Sequence, residues 1–182
     1  LPWYAAAGIE VLLGARVVDV RRDEVELDDG RQLCADVVVV GVGVRPTTSW
    51  LDGSGVERDQ RGYVLVDAGM KTTATGVVAV GDCTAWPSAR YDKRMCTGHW
   101  DHALRSPAVA AASLLGEDAV YDPVPYFWSD QLGHNVQYVG HWGPADTLVL
   151  RGDPGAGPWS ACWLSGDRLT AVLAVDRPRD IA

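Results

Sequence analysis

"TTATGVVAVGDCTAWP", residues 72–87, sets four strand-forming positions, 77–80, directly before Gly81 and Asp82. Two readings compete for that carboxylate. Gly and Asp often begin turns, and Asp can bond its own backbone, so Asp82 could simply stop a strand. The carboxyl end of a strand is also where open α/β sheets hold their ligands, and a carboxylate there can grip paired hydroxyls. Taken bare, the pattern favours the turn. Its surroundings have to decide.

The 182 residues are 47% hydrophobic, ample for one large domain or two small ones. With 24 acids against 16 bases the formal charge is -8, which argues against nucleic acid or an anionic membrane as a partner of the whole protein. A local basic patch stays open. No apolar run approaches the ~20 residues of a membrane span, and no charged-then-apolar leader opens the sequence, so the cytoplasm is the default expectation. Cys34, Cys83, Cys96 and Cys162 are scattered without a C-x-x-C, which points to free thiols rather than a zinc ribbon or local redox pair. The first residue is Leu and the last six, "RPRDIA", read like the first turn of a helix; a fragment is expected. Six of the eight tryptophans fall from residue 86 onward, where flat rings could stack.

Residues 1–44 read as a run of strands after a short helix end: "IEVLLGARVVDVRR", "EVELDDG", "RQLCA" and "DVVVVGVG". "DDG", residues 28–30, is a hairpin turn, and the continuous "VVVVG", residues 37–41, predicts a strand covered on both faces. From Arg45 the sequence is polar and turn-rich before "YVLV" and "VVAV" return as strands. "GHWDHALRSPAVAAASLLG", residues 98–116, predicts one helix, with Trp100, Ala103, Leu104, Pro107, Ala111, Leu114 and Leu115 at helical spacing and a kink at Pro107. Residues 135–176 then read as an antiparallel meander, with "SGD" at 165–167 joining the last two strands. Neither "GVGVRP" nor "GAGPWS" completes G-x-G-x-x-G before a helix, so no phosphate-cradling first turn is encoded here.

The stretch "T-T-x-x-G-V-V-A-V-G-D" closely resembles the second FAD motif of the two-dinucleotide-binding flavoprotein reductases. "VVVVGVGVRP" resembles the motif that marks the return of such a chain from the NAD domain to the FAD domain. "GHWDHALRSPAVAAASLLG" and "VPYFWSDQLGHNVQYVGHW" resemble the helix and the opening of the C-terminal domain of ferredoxin, rubredoxin and putidaredoxin reductases, and "HWDHA" is also similar to the apoptosis-inducing-factor branch. The order is the family's order throughout. The fold class this implies is α/β plus α+β: part of a two-Rossmann-type flavoprotein reductase followed by a C-terminal antiparallel-sheet domain. Residues 1–44 would end the NAD-binding domain, 45–118 would be the second half of the FAD-binding domain, and 119–182 the C-terminal reductase domain. Both phosphate-binding fingerprints would lie upstream, so these 182 residues alone are expected to bind FAD weakly or not at all.

The resemblance also implies roles. Asp82 would accept bonds from the ribityl hydroxyls of FAD, and Gly81 would let the isoalloxazine end pass close to the backbone. The amides at His99, Trp100 and Asp101 would face the flavin from a helix N-terminus, whose positive dipole end favours electron density on the ring. Trp128 would pack beside the isoalloxazine, with Tyr126 and Phe127 in the core, and Gly43 would let the nicotinamide cofactor approach. Gly98 stands where the family commonly has an acid, which puts the hydride geometry in question. His99 and His102 could ligate a metal, but no third ligand is evident, and no metal site is expected. No side chain need act as an acid or base.

Arg90, Lys93 and Arg94 concentrate positive charge on an otherwise acidic chain. They read as a docking patch for an acidic iron-sulfur protein, a ferredoxin or rubredoxin. The function expected is therefore that of an FAD-dependent NAD(P)H:ferredoxin reductase. A disulfide reductase of the glutathione-reductase kind is the nearest alternative, although no histidine here precedes a proline as that group's base does. An apoptosis-inducing-factor-like protein with an interaction role is the other.

Overall fold

The computed structural model describes residues 2–181. It divides into two compact units, one ending at Gly43 and one beginning at Val44. In the first, a short helix α1 (Pro2–Ala6) precedes an antiparallel sheet of β1 (Val17–Val20), β2 (Glu24–Leu27) and β3 (Gln32–Cys34). The β2–β3 turn closes by local bonds: Gly30 N–H returns to Leu27 O at 3.0 Å, and the Asp29 carboxylate takes the Arg31 amide at 3.1 Å. The strand expected at residues 37–41 does not form, and Val39 is 89% exposed. A buried parallel strand needs a neighbour on each edge and a cover on each face, and the described residues of this unit supply neither.

The second unit opens with a small mixed sheet of β4 (Val64–Leu65), β5 (Thr84–Ser88) and β6 (Lys93–Met95), in which β4 and β5 are parallel and β5 and β6 antiparallel. "VVAV" at 77–80 is not a strand here. Only Val78 bridges, to Lys71, while Thr72 N–H reaches Val77 O at 2.9 Å and Ala79 N–H reaches Met70 O at 3.1 Å. The extended run is thus tied to residues 70–72, and the ladder begins only past Asp82, at Thr84. Val78, Ala79 and Val80 still pack on the core of Val64, Val66, Met70, Trp86, Met95, Ala110 and Tyr121.

Helix α2 (Trp100–Leu114) lies within the predicted segment, two residues short at each end, and continues through Pro107. Its buried stripe, however, is not the apolar one expected. Trp100, Leu104 and Leu114 face outward, and the buried face is Asp101, His102, Ser106, Ala110 and Ser113. From His102 these recur at i+4, i+8 and i+11, one helix face. Small and polar side chains let the helix approach the end of the extended run, at Gly81, whose backbone groups have to be satisfied. Apolar spacing alone could not reveal that demand.

The rest forms a five-stranded antiparallel sheet from β7 (Tyr126–Gln131), β8 (His134–Gly140), β9 (Thr147–Arg151), β10 (Trp159–Ser165) and β11 (Arg168–Val175), in the order β7-β8-β11-β10-β9. The "SGD" hairpin joins β10 to β11 with Ser165 opposite Arg168. The sheet is not a simple meander, because β8 pairs with β11 rather than with β9. "RPRDIA" contributes a 3-10 turn, Pro178–Asp180, anchored by the Asp180 carboxylate, which accepts from Ser160 Oγ at 2.7 Å and pairs with Arg151 and Arg177. The late tryptophans stack mainly within the protein: Trp142 on Trp163, and Trp128 on Tyr126. Among the described residues, no helix is long and apolar enough to cross a membrane.

Candidate functional site

Residues Gly81–Cys83 form a 3-10 turn at the end of the extended run. Gly81 sits at φ +73°, a backbone conformation that costs an L side chain about 1–2 kcal/mol. Helix α2 grips this residue at both ends. Gly81 N–H donates to Ser106 Oγ at 3.0 Å, while Gly81 O lies 3.0 Å from His102 Nε2 and accepts from Thr84 Oγ1 at 2.8 Å. Asp82 follows directly. It is exposed, and among the described residues its carboxylate makes no hydrogen bond or ion pair. Its Oδ2 lies 3.8 Å from the point a Cβ on Gly98 would occupy.

Two residues further on, α2 begins. His99 is its N-cap and offers no side-chain cap, so the amides of Trp100, Asp101 and His102 start the helix without one. His99 Nδ1 is itself buried with no partner among the described residues. Its ring lies 5.3 Å from that of Phe127. Gly98, His99, Trp100, Tyr126, Phe127 and Trp128 together line a pocket of about 110 Å³. That is below the ~300 Å³ of a drug-sized site, so this surface can hold one face of a flat ring rather than enclose it. Phe127 is 41% and Trp128 42% exposed; Phe127 was expected in the core and is instead part of this open aromatic surface.

The structure therefore brings Gly81, Asp82, His99, Trp100 and Trp128 to one region. Asp101 contributes its place at the helix start, but its carboxylate is spent on Arg105, 2.8 Å away. Gly43 belongs to the first unit, at φ +98°. Of the proposed docking charges, Arg94 is committed internally: its Nη1 donates to Val66 O at 2.8 Å and Ala85 O at 2.9 Å. Lys93 bonds His141, and the Arg90 side chain makes no hydrogen bond or ion pair among the described residues. Arg90, Lys93 and Arg168 share a separate pocket of about 300 Å³ with Tyr91 and His141.

Sequence reasoning weighed His102 only as a metal ligand. The structure employs both its nitrogens otherwise: Nε2 at Gly81 O, Nδ1 at 2.7 Å from Tyr121 OH, and the ring stacked on Trp86 at 4.2 Å. The available signal was its position, one turn before Ser106. Burial is the largest influence on its pKa and lowers it, against the Gly81 carbonyl, Asp82 and Asp101, which raise it. A folded-state pKa below the unfolded ~6.5 means that the unfolded chain binds the extra proton more readily. The stability His102 contributes is then fully present above about pH 6.5 and falls as the pH drops through that value. Thermal melts between pH 8 and pH 5 should show a decline that is smaller in the His102→Gln variant; His141, whose pKa burial and Lys93 also lower, supplies a decline that both proteins share.

Two family descriptions match this chain: pyridine nucleotide-disulphide oxidoreductase over residues 4–108, more than half its length, and reductase C-terminal over residues 126–182. The ferredoxin--NAD(+) reductase component of the anthranilate 1,2-dioxygenase system of Burkholderia cepacia is 38% identical over 178 residues, 97% of this chain and 40% of the relative. The crystal structure of Fdr9 is similar at TM-score 0.89 and 43% identity, covering 99% of this chain and 46% of that one. The covalent putidaredoxin reductase–putidaredoxin complex matches at TM-score 0.88 and 29% identity, covering 97% and 44%. The chain thus spans less than half the length of these relatives. With an extended run closed by a 3-10 turn, an uncapped helix start and a C-terminal antiparallel sheet in that order, it belongs to the pyridine nucleotide-disulphide oxidoreductase family and carries a reductase C-terminal domain.

Proposed function

We propose that this chain is the flavin-ribityl and C-terminal portion of an FAD-dependent NAD(P)H:ferredoxin reductase of the kind that serves oxygenases. One observation carries the reading: a carboxylate, Asp82, that is unspent among the described residues, on a turn fixed by α2, with its Oδ2 3.8 Å from where a Cβ on Gly98 would sit, two residues before the uncapped start of α2. A strand-stopping Asp would bond its own backbone. This one is left for a ligand.

FAD, when bound, supplies hydride acceptance and the release of single electrons. The residues here bind and orient. Asp82 accepts from paired hydroxyls, a charge-assisted contact that fixes the sugar-alcohol chain. The first amides of α2 and the positive end of its dipole favour electron density at the ring edge they face. Phe127 and Trp128 cover one face of the ring and exclude water from that face. No carboxylate, imidazole or thiol of this chain has to move a proton.

The electron acceptor proposed is an acidic ferredoxin-type iron-sulfur protein, met by Arg90 and Lys93 with Arg168 beside them. Steady-state turnover of the full-length flavoprotein with NADH and a small ferredoxin tests the function, and failure to turn over would leave only an interaction role. Arg90→Gln with Lys93→Gln should slow ferredoxin reduction by about 3- to 10-fold at low salt and leave reduction of a small dye unchanged. Equal slowing of both acceptors would exclude docking. Arg94→Ala should act differently, costing about 1–3 kcal/mol of stability, because it strips a charged donor from the carbonyls of two buried residues, Val66 and Ala85.

A further inference from the structure

We infer that His102 is a positioning residue for the Asp82 carboxylate, acting through the Gly81 peptide; this rests on the flavin reading of Asp82 given above. The hydrogen-bond pattern places every proton. Gly81 O can only accept, and Thr84 Oγ1 spends its hydrogen on Gly81 O, so two acceptors face His102 Nε2, each at 3.0 Å. Nε2 therefore carries the hydrogen. The neutral ring then has a lone pair on Nδ1, and Tyr121 O–H donates to it at 2.7 Å. Burial raises the Tyr121 pKa, which keeps that hydrogen in place.

The consequence is geometric. His102 and Ser106 stand four residues apart on one helix face, both buried, and hold the carbonyl and the amide of the same glycine. Gly81 is thereby fixed in rotation relative to α2, and Asp82 is the next residue along the chain. Among the described residues the Asp82 carboxylate has no side-chain partner to steady it. Its direction toward the helix start is set one peptide upstream, with Tyr121 and the Trp86 ring holding the imidazole in place. A purely structural histidine in this core would affect stability and leave ligand binding by an intact fold unchanged.

The test uses the full-length flavoprotein, with the FAD dissociation constant and the melting temperature read for Asp82→Ala, His102→Leu, His102→Gln, Tyr121→Phe and the Asp82→Ala/His102→Leu pair. Loss of one hydrogen bond is worth about a 2- to 10-fold change in affinity. His102→Leu should weaken FAD binding about 10-fold, and His102→Gln, whose amide can donate at the Nε2 position, should restore most of it. The double variant should bind little worse than Asp82→Ala alone, because the two act on one contact. If His102→Leu does not fold, Tyr121→Phe, which deletes only a hydroxyl, carries the test with an expected 2- to 5-fold weakening. Nitrogen-15 shifts of the resonance lost in His102→Gln should show the Nε2–H tautomer. An Nδ1–H tautomer, additive losses in the double variant, or a Gln variant no better than Leu would each overturn the inference while Asp82→Ala still weakened FAD. If Asp82→Ala bound FAD normally, the flavin reading would fail, and the inference with it.

Discussion

Asp82→Ala should weaken FAD binding by the full-length flavoprotein about 10- to 100-fold without lowering its stability. The size follows from hydrogen bonds to a charged group, worth about 1.5–3 kcal/mol, and from the tenfold change in affinity that each 1.4 kcal/mol brings. The lack of a stability cost follows from the turn. Its closure uses Thr84, whose N–H and Oγ1 both return to Gly81 O, together with His102 and Ser106 from α2; the Asp82 side chain supports none of it. Exposed residues away from such features change stability by no more than about 0.5 kcal/mol. Asp82→Asn should lie between, since the amide keeps one acceptor but loses the charge. The two readings of "VVAVGD" part here. A strand stop predicts a destabilised protein with normal flavin affinity, and an anchor predicts the reverse. Equilibrium titration of apoprotein with FAD, set beside melting curves, decides between them.

Local chemistry made part of this architecture legible. The "DDG" turn, the stop of α2 before Gly116 and the "SGD" hairpin all depend on residues that bond or bend within a few positions, and all three stand where the sequence placed them. What depended on distant partners was less readable. Residues 37–41 have the composition of a doubly covered strand, yet no ladder forms beside them among the described residues, because composition says what a segment can pair with and not whether the pair is present. Residues 78–80 are extended and half-buried beside an exposed Val77, but the run is bonded to Met70, Thr72 and Ala74. For α2 the apolar spacing pointed to the wrong face: Leu104 and Leu114 are outside, and His102 and Ser106 are inside because the Gly81 peptide requires a donor and an acceptor there. The same requirement hid His102 from the reading of the site. A histidine that satisfies a backbone carbonyl leaves no motif, only an i, i+4 partner.

Gly140→Ala should be among the most destabilising single-methyl additions to this chain, costing about 3–5 kcal/mol and lowering the melting temperature by roughly 10 °C. Gly140 closes β8 opposite Ala171 of β11, at φ +93°, which alone costs an alanine about 1–2 kcal/mol. The remainder is overlap. A Cβ there would stand 2.8 Å from Ala171 Cα and 3.1 Å from the Thr170 carbonyl carbon, with the carbonyl oxygen nearer still. These are backbone atoms of β11, which is hydrogen-bonded to β8 on one side and β10 on the other, so no rotamer change relieves the contact. The damage should reach the aromatic surface. Gly140 N–H donates to Pro125 O at 2.9 Å, immediately before β7, and β7 is an edge strand whose only neighbour in the sheet is β8. Shifting Gly140 loosens the strand that carries Phe127 and Trp128, so tryptophan emission should move to the red in parallel with the lower melting temperature. Gly133→Ala supplies the comparison. That glycine, in the β7–β8 turn, also has a positive φ, +82°, but nothing lies within 4 Å of its Cβ position. It should lose only the backbone part, about 1 kcal/mol, with unchanged emission. If the two substitutions cost the same, close approach of β8 to β11 is not what reserves position 140 for glycine, and the register of the sheet that presents Trp128 would have to be fixed elsewhere.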